Sequence, residues 1–390
     1  MSSTAFQSAT IPAERLLPGI HGLRGIAALA VVLFHLVHLA GIAVPKAFTF
    51  IAADFGKGVH LFFILSAYAL MHSTEHTLHR PTWAKEYFVK RFFRIAPLFY
   101  CILAGMVLWP LIKSQVLAVN FQHLVLNLTF TFGLAPWTGI VWAGWTVGVE
   151  MLFYAILPIL LLTVRTRMGT LWLMVASILV SYASSNVLQA HFEHTVAQYR
   201  YNWSYFSFPA NLCYFALGMY AFRIAGETAA EAVVLRRSLA AFAVLLLGTL
   251  LFAGRQLGLH ADPILWGFGL AALALWQGKW PGRWCANRFF EHVGERSYSV
   301  YLLHPVMIIL LKNPIQMLYG ALTPALGTSA YFVCAVAVLL PLLLLSEVTY
   351  RLIEVPGIRY GKQLNGRIRQ RQQQADRADP DGKATVRQDI

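Results

Sequence analysis

The sequence predicts an all-α membrane protein of about ten transmembrane helices, with N- and C-termini cytoplasmic and one external or re-entrant excursion. Three observations carry this. Hydrophobic residues make up 58% of the 390 residues and charged residues only 12%, where soluble domains run at about half apolar and a quarter charged. Apolar stretches approaching the roughly 20 residues that a bilayer demands recur along the chain. The basic residues are sorted between alternate loops, as cytoplasmic and external loops require. Together with 11 Trp, 16 Tyr and 26 Phe, this excludes a soluble fold, a disordered chain and a disulfide scaffold.

The apolar stretches fall near 22–44, 58–73, 96–112, 145–163, 170–187, 206–222, 239–254, 262–278, 298–319 and 329–350. An eleventh, near 121–135, is short and carries Gln122, His123 and Asn127. The charges choose between the two counts. With ten spans and the N-terminus inside, 25 of the 31 Lys and Arg residues are cytoplasmic, leaving Lys46, Lys57, Lys113, Arg200, Arg255 and Lys312 outside. An eleventh crossing would invert every later loop and destroy the asymmetry. Residues 114–144 are therefore expected outside or re-entrant, with Trp137 and Trp142 at the interface.

Three regions are expected: a polar cytoplasmic segment over 1–19 without a cleavable signal, a transmembrane domain over 20–354, and a basic, disordered cytoplasmic tail over 355–390. The tail's basic residues are expected to meet anionic membrane lipid. The net charge of +14 does not point to nucleic acid, because the charges lie between apolar segments rather than on a recognition helix. Cys101, Cys213, Cys285 and Cys334 are far apart and form no CxxC, so neither a metal site nor a disulfide framework is expected. No inverted repeat is evident.

Ionisable groups inside spans are expensive and mark function by default. In the first span His35 follows Arg24 by eleven residues, about 16 Å deeper and about 20° off the same helix face. His38 lies within about 40° of that face, so spacing does not choose between the two histidines. The second span adds His60 and Ser66. Arg91 and Arg94, three apart, can grip one polyanion or serve as a positive-inside anchor. Glu150 opens the fourth span, a turn or so below the external surface by this reading, and needs a partner, a proton or water. Tyr298, Tyr301 and His304 share one ridge, as a polar packing seam or a substrate wall. Glu347, four before Arg351 and seven before Glu354, is expected in a structural ion pair.

The pieces GLRGIAALAVVLFH, GVHLFFILSAY, KRFFRIAPLFY, WTVGVEMLFY and GERSYSVYLLH, in that order over about 20–354, resemble the acyltransferase 3 family of bacterial membrane acyltransferases that decorate surface glycans. The resemblance implies transfer of an acyl group, usually acetyl, from cytoplasmic acyl-CoA to a hydroxyl of an extracytoplasmic or lipid-linked carbohydrate. It implies the cytoplasmic (inner) membrane as location, acyl-CoA as donor substrate and no permanently bound cofactor. Carried over residue by residue, it singles out His35, in preference to His38, and Glu150 for catalysis, with Arg24, Arg91 and Arg94 for the donor. His60, Thr146, Tyr301 and His304 form a second tier toward the substrate. The chain departs from the family pattern at His60, where members often carry an acid, at Ala67, where Gly is common, and at Thr146, where Ser is common. No lipase-like soluble domain follows the spans.

These residue types suit the chemistry. Acyl transfer to an alcohol needs a base near the hydroxyl and a grip on the donor's phosphates. An imidazole titrates near neutrality, and guanidiniums match phosphate geometry. Direct attack and a covalent acyl-histidine remain open alternatives. The rival reading is a transporter or flippase of a lipid-linked sugar that uses intramembrane His and Glu as a proton relay.

Overall fold

The computed structural model describes residues 17–114, 119–188, 203–226, 232–259 and 262–378. The segment before residue 17, Arg200 and the last twelve tail residues lie outside the described residues. Among those described, helices carry the fold and no strand occurs. They run α1 (Pro18–Ala40), α2 (Thr49–Asp54), α3 (Gly58–Thr74), α4 (Trp83–Ser114), α5 (Phe121–Leu128), α6 (Trp145–Thr163), α7 (Arg167–Ala183) and α8 (Trp203–Phe206). Then follow α9 (Phe208–Gly226), α10 (Ala232–Phe252), α11 (Pro263–Lys279), α12 (Arg288–Glu295), α13 (Ser297–Leu310), α14 (Lys312–Leu326), α15 (Ala330–Thr349) and α16 (Val355–Ala378).

Local signals set the boundaries. Pro18 opens α1, where its missing N–H costs nothing, and Gly41 closes it in the left-handed region at φ 71°. Side chains of Asn120, Thr166, Asp262 and Asn287 accept from orphan amides at the starts of α5, α7, α11 and α12. Pro305 lies inside α13, and the chain bends at Leu311 before α14 begins.

Helix α1 is the axis of the bundle, packed by α3, α11, α12 and α13. A strip of small residues makes this possible. A methyl group at Gly25 would sit 2.3 Å from the Phe290 carbonyl oxygen, and one at Gly294 only 1.9 Å from that of His21. Backbone therefore meets backbone between α1 and α12, the close approach that small residues permit between apolar helices.

Seven helical stretches among the described residues are long and apolar enough to cross a membrane: Pro18–Ala40, Lys46–Thr77, Trp83–Trp109, Trp142–Thr163, Arg167–Val187, Val233–Phe252 and Lys312–Arg377, the last through α15. The other three expected spans fall on α9, which is less apolar, and on α11 and α13, which at 17 and 14 residues are shorter. All three pack mainly against protein, with α9 lying against α3, α7 and α11. A helix so covered needs neither full length nor full apolarity toward lipid.

The segment near 121–135 is not a span. Helix α5 has 8 residues, about 12 Å against a hydrocarbon core of about 30 Å, and three short 3₁₀ turns bring the chain back to α6. Asn127, fully buried, knots this excursion. Its amide nitrogen donates to the carbonyls of His123 (2.7 Å) and Thr138 (2.8 Å), and its oxygen accepts from the Ile140 amide (3.1 Å). Phe132 then stacks on Phe99 of α4, and Gly133 lies against Gly148 of α6.

The tail differs from expectation. Residues 355–378 form α16, which lies along α4 instead of being disordered. Its polar composition conceals a narrow seam of Ile358, Gly361, Leu364, Asn365 and Ile368 at three- and four-residue spacing. Gly361 meets the Phe93 side chain, Tyr360 packs on the Phe93 ring, and Asn365 donates to the Glu86 carbonyl at 3.0 Å.

Candidate active site

Two histidines from opposite ends of the sequence meet beside α1. His304 of α13 is fully buried, and its Nε2 lies 3.0 Å from Nδ1 of His35. The other His304 nitrogen, Nδ1, bonds the Tyr301 carbonyl, and His35 Nδ1 is also 3.0 Å from the Val31 carbonyl. The indole of Trp142, from the excursion that precedes α6, stands edge-on to His35 at 5.3 Å and is itself 43% exposed. His38, by contrast, is exposed and turned to the Phe34 carbonyl. Of the two candidates the structure joins His35, and not His38, to a second polar group inside the bundle.

Eleven residues toward the N-terminus, Arg24 lines two adjoining small cavities. The first, about 30 Å³, is walled largely by Phe62, Phe63 and Val147, with Thr146, Tyr301 and Ser297 contributing polar atoms. The second, about 50 Å³, is lined by Ser66, Arg91, Arg94 and Tyr154. Arg24, Glu150 and Tyr298 border both. Three guanidiniums thus converge on one cavity, where a single oxyanion can accept from several donors.

The arginines are not equally committed. Arg94 pairs with buried Glu354 at 3.4 Å and donates to the Glu295 carbonyl. A π-helical turn over Tyr350–Glu354, between α15 and α16, delivers that carboxylate, which also accepts from Ser299. Arg91 donates to the Ser73 hydroxyl at 3.3 Å, while its buried Nε has no partner. Arg24 donates to Ser297 at 3.4 Å and lies over the Phe62 ring. Arg91 and Arg94 therefore face one cavity, as their spacing allows, but Arg94 already carries a counter-ion.

Glu150, which the sequence put a turn into its span, lies at the level of Arg24 and not at that of His35. It accepts hydrogen bonds from Ser66 and Tyr154 and borders the same cavities as Arg24. The excursion explains this placement: Trp142 is already beside His35 when α6 begins at Trp145, so Glu150, the sixth residue of α6, comes level with Arg24. Glu150 and His35 thus belong to different groups. Thr146 and Tyr301 line the first cavity, with the Tyr301 ring 5.5 Å from that of His304. His60 is elsewhere, buried against Tyr214 (4.3 Å) and Tyr205 (5.3 Å) between α3 and α9. Its aromatic packing takes the place of a polar role at the cavities.

Tyr154, Ser297 and Glu354 belong to the site without having been singled out for it by sequence, and Tyr298, named only as part of a seam or wall, borders both cavities. Tyr154 is four residues after Glu150, a spacing that could have flagged it. Tyr298 reaches the Ile95 carbonyl of α4 at 2.8 Å, a contact across 203 positions that no local pattern announces. Glu347 serves the ion pair expected of it, holding Arg296 and Arg351 with His292 nearby. Among the described residues no three His, Cys, Asp or Glu side chains converge to hold a metal.

The family model described as "Acyltransferase domain" matches residues 17–345. A protein of Komagataeibacter xylinus, provisionally named a membrane-bound transacylase, is 26% identical over 367 residues, covering 87% of this chain and 83% of that protein. No solved structure matches the chain. With its crossing helices and a match over most of its length, the chain belongs to the acyltransferase 3 family of membrane acyltransferases.

Proposed function

We propose that the protein transfers an acyl group, acetyl in the first instance, from acyl-CoA on the cytoplasmic side to a hydroxyl of an extracytoplasmic or lipid-linked carbohydrate. In this reading it sits in the cytoplasmic membrane with ten spans and both termini inside. The observation that carries it is the sharing of α1: Arg24 beside Arg91 and Arg94 at one level, His35 about 16 Å further along the same helix. The arginines hold the donor's phosphates, and the pantetheine arm runs past Phe62, Thr146 and Tyr301 toward His35. His35 removes the proton of the acceptor hydroxyl as its oxygen attacks the thioester carbonyl. The C–S bond breaks, the proton passes to the thiolate, and CoA leaves as the free thiol.

Cavities of about 30 and 50 Å³ have room for a few waters, at roughly 10–15 Å³ each on this measure, and in this reading the donor parts the helices on binding. Its phosphates then compete with Glu354 for Arg94. Glu150, held by Ser66 and Tyr154 beside Arg24, keeps that guanidinium oriented without neutralising all three.

The test is mass spectrometry of surface glycans and glycolipids from cells carrying wild type, a deletion, His35→Ala or His38→Ala. The expected result is an acyl increment with wild type and His38→Ala, absent from the deletion and reduced at least about a hundredfold with His35→Ala at equal protein level. An unchanged acylation pattern in the deletion overturns the enzyme reading in favour of transport.

A further inference from the structure

We propose that His304 is a positioning residue: it accepts the Nδ1–H of His35 and so places the base's lone pair on Nε2. This rests on the reading of His35 as general base and deepens it.

The hydrogen-bond network permits one neutral assignment. The Tyr301 carbonyl can only accept, so His304 Nδ1 carries the hydrogen of that bond. In a neutral imidazole the opposite nitrogen then has a lone pair, and His304 Nε2 is the atom 3.0 Å from His35 Nδ1. His35 Nδ1 thus faces two acceptors, His304 Nε2 and the Val31 carbonyl at 3.0 Å. It must be the protonated nitrogen, which leaves Nε2 of His35 unprotonated. The Val31 carbonyl is already the acceptor for the helical amide of residue 35, so by itself it holds the ring weakly. His304 is the partner with no competing bond on that nitrogen.

The arrangement performs the task that a carboxylate performs in a Ser-His-Asp triad, with a neutral group. A carboxylate at the fully buried position of His304 would bury a charge with no cation against it, a costly state inside a membrane bundle. An imidazole orients its neighbour without that cost. When the acceptor hydroxyl gives its proton to Nε2 of His35, the Nδ1–H bond to His304 becomes charge-assisted and strengthens as the imidazolium forms. With both ring nitrogens engaged, His304 has nothing left to offer a sugar.

The experiment uses the full-length protein in membranes, with radiolabelled acetyl-CoA as donor and the glycolipid extract of the same cells as acceptor, comparing His304→Leu, His304→Gln and His35→Ala. The glutamine carbonyl reaches toward the place of Nε2 and can accept from His35, whereas leucine cannot. Expected is a loss of about ten- to a hundredfold in kcat for His304→Leu, with KM for acetyl-CoA little changed, and recovery of most of that loss in His304→Gln. Wild-type kcat in His304→Leu while His35→Ala is inactive overturns this inference alone. So does an equal loss in His304→Leu and His304→Gln at equal abundance and melting temperature, which marks a packing role. A rise in KM for the glycolipid with unchanged kcat also overturns it, marking a substrate wall. Full activity in His35→Ala instead overturns the assignment of the base on which the inference stands.

Discussion

The pair Arg94–Glu354 shows what a single side chain contributes here. Glu354 is 1% exposed and reaches Arg94 only because one π-helical turn separates α15 from α16. Replacing it as Glu354→Gln keeps a group that Ser299 can bond and removes the charge opposite Arg94. The expected cost is on the order of 2 kcal/mol, read as a lower melting temperature of the purified protein in detergent. Legibility at this scale is uneven. His35 and Arg24 stand out in sequence because a titratable group within an apolar run has no cheap explanation. Helix geometry does not choose His35 over His38, since both lie within about 40° of the face that carries Arg24. The family resemblance makes that choice, and the structure adds a buried partner for His35 in His304, 269 positions away. His304 itself is visible on the ridge with Tyr298 and Tyr301, but a ridge does not say what it faces.

Among the elements, the re-entrant excursion depends most on a few bonds. Its helix α5 is too short to be stable alone, and Asn127 satisfies two carbonyls and one amide across the knot. Asn127→Ala leaves those groups buried without partners, at about 1–3 kcal/mol for each that water cannot reach. The expected outcome is faster hydrogen exchange over 121–144 with the helices of the bundle unchanged, measured by mass spectrometry. The charges identified this segment as a non-span, because loop charge sums over the whole chain. They could not show that it sets Trp142 beside His35 before α6 begins, which is why Glu150 comes level with Arg24. Helix α16 was hidden for the opposite reason. Averaged over the tail its composition reads as disordered, while the seam that meets α4 takes only one or two residues per turn.

At the level of the whole molecule, hydropathy and charge yield an all-α membrane bundle, and seven stretches among the described residues meet the demand for length and apolarity by themselves. The three that do not, α9, α11 and α13, are covered by neighbours, and the tertiary packing that excuses them is invisible to a sliding window. The ten-span topology is tested by single cysteines at Lys46, Arg255 and Lys312, expected to react with an impermeant maleimide on intact cells, and at Arg80, Arg236 and Arg359, expected to react only after lysis. Reversal of the labelling at Lys312 alone would mark α13 as a hairpin within the membrane.

The contact of α1 with α12 has a consequence for substrate size. Because carbonyl oxygens of Phe290 and His21 press against glycines of the opposite helix, α1 has no room to slide along its axis, and the rise from Arg24 to His35 is set by helix geometry at about 16 Å. The helix is a ruler. On the function proposed above, a donor gripped at Arg24 would present its thioester at the imidazole only if its arm spans that interval. Carrier length, more than the size of the acyl group beyond the thioester, would then be the dimension along which the protein discriminates.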